Sequence, residues 1–190
     1  MKKLYIGLDV STTTIGYSII CIENGKIFDL NYSYYKPNKK LSKIHMLSEA
    51  KKIVVEIIDG AAKIYELKPI VCIEDILIFT NKTTPTTVTT LAAINRLMCV
   101  HAFDNYQLNL LPVATIRATL KRMVDSKVRI EKDMVPNTIE TIMQTHIKGW
   151  KFNYELISKG KSKGKPKQEN YDSADGVAVA LACAYKNKDI

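Results

Sequence analysis

The chain has 190 residues, 46% of them hydrophobic and 25% charged, as expected of a soluble globular protein with a single core. Its net charge of +9 is less ordinary and suggests a polyanionic partner, nucleic acid first and anionic membrane second. No apolar run approaches the ~18 residues of a membrane span, and Asp9 breaks the first apolar stretch too early for a signal peptide, so a cytoplasmic protein is expected.

In chain order, residues 4–10 read as a strand, followed by a Ser/Thr turn at 11–14 and a second strand at 15–22. Asn24-Gly25 is a strong hairpin signal, leading into a third strand at 27–34. Ser42 opens a long amphipathic helix, with apolar positions at Ile44, Leu47, Val54, Ile57, Ile58 and Ala61, that runs to about Leu67 before Pro69. Residues 70–73 form a short, fully apolar strand ending on Glu74-Asp75. Thr84 caps the next helix with Pro85 at its first position, and a strand at 108–113 follows it. Helices are predicted near 114–124 and 131–147, with Pro136 blurring the second start. Residues 158–170 form a basic Lys/Gly loop with no apolar anchor, expected to be flexible, and a helix rich in small residues runs from Asp172 to about Lys186. The expectation is one α/β domain over 1–190, a mixed five-stranded sheet with helices on both faces. This order is compatible with an RNase H-like architecture but does not select it. The four cysteines (Cys21, Cys72, Cys99, Cys183) lie far apart in apolar runs, which argues for buried free thiols rather than zinc or disulfides. His45, His101 and His146 have no ligand spacing and read as structural or surface residues.

Four acids stand out. Asp9 lies inside an apolar strand, where a charge is costly unless paired or bound to a metal; capping the following turn is its plain alternative. Glu74 ends the buried strand at 70–73. If that strand pairs in parallel with the first, both acids reach the carboxyl edge of the sheet, where α/β proteins place ligands. Asp75 points to the opposite face and is given no direct role. Asp172 and Asp175, three residues apart, share one face of the last helix. The helix macrodipole accounts for acids there, but Ala174, Gly176, Ala178, Ala180, Ala182 and Ala184 would also let this helix pack closely and carry them to the sheet edge. Four hard oxygen donors with no soft ligand suit Mg²⁺ or Mn²⁺, and a basic protein carrying them points to two-metal phosphodiester hydrolysis.

These residues resemble a known family. Ile6-Gly7-Leu8-Asp9-Val10-Ser11 followed by Ile15-Gly16-Tyr17-Ser18-Ile19-Ile20 resembles the opening of RuvC-type Holliday junction resolvases, members of the RNase H-like superfamily. Val71-Cys72-Ile73-Glu74 is similar to the family's second acidic strand, and Tyr171-Asp172-Ser173-Ala174-Asp175-Gly176 to its final helix with a D-x-x-D pair. Leu111-Pro112-Val113 matches the strand after the middle helix. Two departures are visible: residues 114–132 lack the family's Gly-Lys stretch, and 148–170 reads as an insertion. The resemblance implies an RNase H fold and a homodimer that cuts opposing strands of four-way DNA junctions. It further implies Mg²⁺, with Mn²⁺ able to substitute, held by Asp9, Glu74, Asp172 and Asp175. By position, Phe79 corresponds to an aromatic residue near the junction centre, or it is a packing residue. The Lys-, Ile-, Asn- and Thr-rich composition fits a phage or other viral version, or an AT-rich host.

The basic residues cluster in 117–132 and 148–170, which carry +4 and +5. Arg117, Lys121, Arg122, Lys161, Lys163 and Lys165 are candidate phosphate contacts, as is Lys82 just beyond Glu74; a solvated loop is the alternative for the lysine run. Three other functions compete. Gly7-Leu8-Asp9-Val10-Ser11-Thr12-Thr13 also resembles the first phosphate loop of actin/sugar-kinase proteins, although the chain is short for two lobes and shows no second loop. A catalytically inactive module for branched nucleic acid would need the basic segments but not the acids. A nuclease acting on other branched DNA or on RNA–DNA hybrids would use the same metal site.

Overall fold

The computed structural model describes residues 1–38, 40–75, 84–160 and 162–190. Three strands open it: β1 (Lys2–Val10), β2 (Ile15–Glu23) and β3 (Lys26–Tyr35). Asn24 and Gly25 both take positive φ, 52° and 77°, as a two-residue hairpin that matches strand twist requires. Helix α1 (Lys43–Tyr65) is capped by Ser42, and its buried stripe is Met46, Ala50, Val54, Ile58 and Ala61. Ile44, expected on that stripe, is instead exposed, because it sits about 200° around the helix from Met46. β4 (Ile70–Asp75), α2 (Pro85–Asn105) and β5 (Gln107–Pro112) follow. Thr84 caps α2 by accepting from the Thr87 amide at 3.3 Å.

The sheet order is β3-β2-β1-β4-β5. β1 pairs antiparallel with β2 and parallel with β4, and β4 pairs parallel with β5. This is the expected mixed five-stranded α/β sheet. Helices cover both faces: Leu4, Ile6, Leu8, Val71 and Ile73 pack with α1 and α2. Tyr5 and Cys72 face the other layer, made of α3 (Val113–Met123), α4 (Val135–His146) and α5 (Glu169–Lys186). Pro136 lies in the first turn of α4, where a missing N–H costs nothing. A 3₁₀ turn at Lys132–Met134 precedes that helix.

Helix α5 is the central buried helix, and its small residues let it lie directly on the strands. A Cβ on Gly16 would come within 1.8 Å of the Asp172 carbonyl oxygen, and one on Gly7 within 2.1 Å of the Gly176 carbonyl oxygen. Only glycine permits this approach. α5 begins three residues before the expected Asp172, at Glu169, so Asp172 and Asp175 sit in its first two turns.

The segment ahead of α5 is better tethered than its composition suggests. Trp150, Phe152 and Tyr154 alternate along the chain, and Phe152 stacks on Tyr32 of β3 at 4.8 Å. Residues 155–157 then pair with residues 164–167 as a hairpin. The Ile157 amide donates to the Lys165 carbonyl and the Lys167 amide to the Glu155 carbonyl, both at 2.9 Å. Buried Asn170 ties the hairpin to α5, accepting from the Glu155 amide (2.9 Å) and donating to its carbonyl (2.8 Å). Hydrogen bonds supply the anchoring that apolar side chains do not. The four cysteines are free and buried. Among the described residues, no helix is long and apolar enough to cross a membrane.

Candidate active site

Strand periodicity sets where each acid points. On β1, Tyr5, Gly7 and Asp9 share the face that meets α5. On β4, Cys72 and Glu74 share that same face, while Asp75 turns to the α2 side, where Arg96 binds its carboxylate at 3.2 Å. Gly16 is the cross-strand partner of Asp9. Because the Asp172 backbone rests on Gly16, α5 delivers Asp172 beside Asp9, and Asp175 lies one turn further along.

Asp9, Asp172 and Asp175 each present a carboxylate oxygen within 4.8 Å of the others. Glu74 stands outside this tight group but lines the same cleft, about 1050 Å³ in volume. The structure therefore brings three of the four sequence-identified acids within reach of one ion and places the fourth at the wall. Ser11, Thr13 and Thr14 of the β1–β2 turn also line the cleft. Lys36 pairs with Glu169 at its rim.

The acids pay for this proximity. Burial first, then the charges of Glu74 and Asp175, pushes the Asp9 carboxyl well above the usual carboxylate range, with Lys132 offsetting part of the effect. Burial and the charge of Asp175 push Glu74 up to about 7, against the opposing pull of Arg117 and Lys132. Asp175, only 5% exposed, is raised mainly by burial while Arg117 and Lys132 hold it down. Two cations supply the compensation. Arg117 Nη2 donates to Asp175 Oδ1 at 2.8 Å, and Lys132 Nζ lies 3.1 Å from Asp172 Oδ1 and 3.3 Å from Asp175 Oδ2. Burial alone would lower the Lys132 ammonium, but Asp175 and Asp172 hold it above its ordinary value.

An all-oxygen set of mutually repelling carboxylates fits a hard divalent cation, and among the described residues no sulfur or imidazole ligand joins it. Asp9, Asp172 and Asp175 would hold such an ion, with Glu74 within the same cleft.

The other candidate residues are scattered. Arg117 belongs to the site. Lys121 instead donates to the Lys127 carbonyl at 3.0 Å, bracing the loop ahead of Lys132. Arg122 faces a separate cavity with Tyr185, Lys186 and Lys188 at the carboxyl end of α5. Lys163 and Lys165 lie on the hairpin that leads into α5. Phe79, Lys82 and Lys161 lie outside the described residues. Lys132 was not singled out from its basic stretch, and its sequence gave no separate signal. The histidines serve structure: half-buried His146 accepts from the Ile27 amide at 3.3 Å.

The mixed five-stranded sheet thus gathers its acids where β1, β4 and α5 meet. No model of a known protein family matches the chain, and no curated protein sequence matches it. Solved structures do. RuvC of T. thermophilus, determined in complex with a Holliday junction substrate, superposes with a TM-score of 0.62 at 13% identity, covering 97% of this chain and 95% of that one. The yeast mitochondrial Holliday junction resolvase gives 0.61 at 14% identity over 98% of this chain and 80% of that one. The fowlpox virus resolvase, solved with Holliday junction DNA, gives 0.50 at 10% identity over 97% and 98%. The chain thus has the RuvC-type resolvase fold over nearly its whole length.

Proposed function

We propose that this protein is a divalent-metal-dependent endonuclease that resolves four-way DNA junctions by phosphodiester hydrolysis, acting as a homodimer in the cytoplasm of a bacterium or an infected cell. The observation that carries the proposal is the convergence of Asp9, Asp172 and Asp175 within 4.8 Å, with Glu74 in the same cleft. Structures of like fold that were solved with Holliday junction DNA support the choice of substrate.

Asp9, Glu74, Asp172 and Asp175 are assigned as the ligands of Mg²⁺, for which Mn²⁺ can substitute. When bound, such ions supply an activated water and neutralise charge on the leaving oxygen. Arg117 and Lys132 have a matching task. In the metal-free protein they neutralise Asp172 and Asp175. Were divalent cations held by these acids, the guanidinium and ammonium groups would be free to hold the scissile phosphate, to which Arg offers a bidentate fork. Burial of Asp175 keeps bulk water from screening these contacts. Lys163 and Lys165, together with Lys161, Lys121, Arg122, Lys82 and Phe79, are assigned to the arms and centre of the junction.

The outer face of α2 supports the dimer. Val100 is 58% exposed and Phe103 75% exposed on a helix whose inner side is already buried, and exposed apolar patches of this kind mark association surfaces. Two copies supply the two active sites that a symmetric pair of cuts requires.

The test is a panel of four-way junction, fork, linear duplex and RNA–DNA hybrid with Mg²⁺, and with Ca²⁺ as a binding control. Paired nicks in the junction, outpacing cleavage of the others, are expected. Equal cutting of junction and duplex would remove the resolvase while leaving the nuclease. Preference for the hybrid would turn the reading to an RNase H.

A further inference from the structure

We infer that Asn95, buried in the core side of α2, is a positioning residue for Glu74, an inference that rests on the nuclease reading above. The pairing of β4 with β1 ends at Leu8 and Ile73, so Glu74 lies beyond that ladder, paired in the sheet only with Leu111 of β5. Its backbone needs another hold, because its side chain is half-buried and repelled by Asp175.

Asn95 provides that hold. It is fully buried, and its neighbours along the inner face of α2 are Ile94, Met98, Cys99 and Ala102. An amide in such a layer is tolerated only when hydrogen-bonded, and a leucine would fill the space without that requirement. Its Nδ2 donates to the Glu74 carbonyl oxygen at 3.1 Å. Its Oδ1 accepts from the Cys99 thiol, one turn on, at 3.5 Å, and this contact turns the amide so that its N–H faces β4. The adjacent Arg96 binds the carboxylate of the adjacent strand residue, Asp75. Successive residues of α2 thus grip successive residues at the end of β4, one by the backbone and one by the side chain. Asn95 touches neither the carboxylate group nor substrate, so it acts by fixing where Glu74 starts. Partners that hydrogen-bond a ligating group directly change metal affinity or activity by about 10–100-fold when removed, and a hold on the ligand's backbone acts one step further out, at the lower end of that range.

The test compares the full chain with Asn95→Leu, which keeps the bulk and removes the donor. Mn²⁺ affinity is read by titration calorimetry, and the Mg²⁺ concentration for half-maximal junction cleavage by gel assay. Melting temperature and junction binding in EDTA are followed alongside. Mn²⁺ affinity is expected to fall about 10-fold or more, with a parallel rise in the Mg²⁺ requirement and unchanged junction binding in EDTA. A lower melting temperature with unchanged Mn²⁺ affinity and Mg²⁺ requirement would make Asn95 merely structural and overturn the inference. If Asn95→Leu does not fold, Asn95→Ala, which cannot clash, is read by the same criteria. A wild-type chain that neither binds Mn²⁺ nor cuts DNA would defeat the nuclease reading itself. A wild type that does both, matched by the variant, defeats only the role of Asn95.

Discussion

Glu74 makes the metal-free protein sensitive to pH in a calculable way. In the folded chain its carboxyl is raised from an ordinary 4.5 to about 7, by burial first and then by the charge of Asp175. A group raised in the folded state contributes its full stability below the unfolded value and loses it as pH climbs through the folded one. From pH 4.5 to above 7, the ionisation of Glu74 therefore costs the metal-free fold about 3 kcal/mol, at about 1.4 kcal/mol per pH unit. For a chain of this size that is a fall in melting temperature of about 6–12 °C. His146, lowered by burial and by Lys26, works in the opposite direction, so the comparison must be internal. In EDTA, Glu74→Gln should melt well above the wild type at pH 8 and converge on it as pH falls to about 4.5 and below. Because cations bind only the ionised carboxylates, Mg²⁺ should raise the wild-type melting temperature more at pH 8 than at pH 5.5. Thermal melts at these pH values check both statements. Parallel pH profiles for wild type and Glu74→Gln in EDTA would refute the reasoning.

Gly16→Ala should destabilise the protein by about 3 kcal/mol or more, since the new Cβ would sit 1.8 Å from the Asp172 carbonyl and must push α5 off the sheet; denaturant unfolding measures this, and wild-type stability would contradict the close packing. Replacing Lys163 and Lys165 together by Ala should reduce the slope of log affinity against log salt for junction DNA by about 1.8. An unchanged slope in a filter-binding series would take the hairpin off the DNA. Phe103→Glu should convert a dimer to monomer by light scattering, and a persistent dimer would place the interface away from the outer face of α2.

The strands and the acids could be read from sequence because each is a local signal. Asp9 interrupts an apolar strand, Glu74 ends one, and period two separates Glu74 from Asp75, whose carboxylate Arg96 takes on the α2 side. The alanine run of α5 announced a helix that packs closely, and Gly7 and Gly16 are the strand positions that receive it. Lys132 and Asn95 left no such trace. Lys132 reaches the acids from the first position of a short 3₁₀ turn, and only the tertiary fold brings it there. Asn95 is one polar residue in an apolar stretch of helix, and its purpose is visible only when β4 lies beside it. The pairing of residues 155–157 with 164–167 was also hidden, because backbone hydrogen bonds and Asn170 hold it rather than an apolar pattern. Ile44 lies on the outer face of α1 although an apolar residue there looks the same in sequence as one on the buried stripe.

Cleavage of a synthetic four-way junction in Mg²⁺ by wild type, Asp9→Asn and Asp175→Asn, with binding followed in parallel, tests the central claim most directly. The wild type should nick the junction in paired positions, and both variants should bind it without cutting. Cleavage that persists in both variants would contradict the assignment of the carboxylate cluster as the catalytic centre.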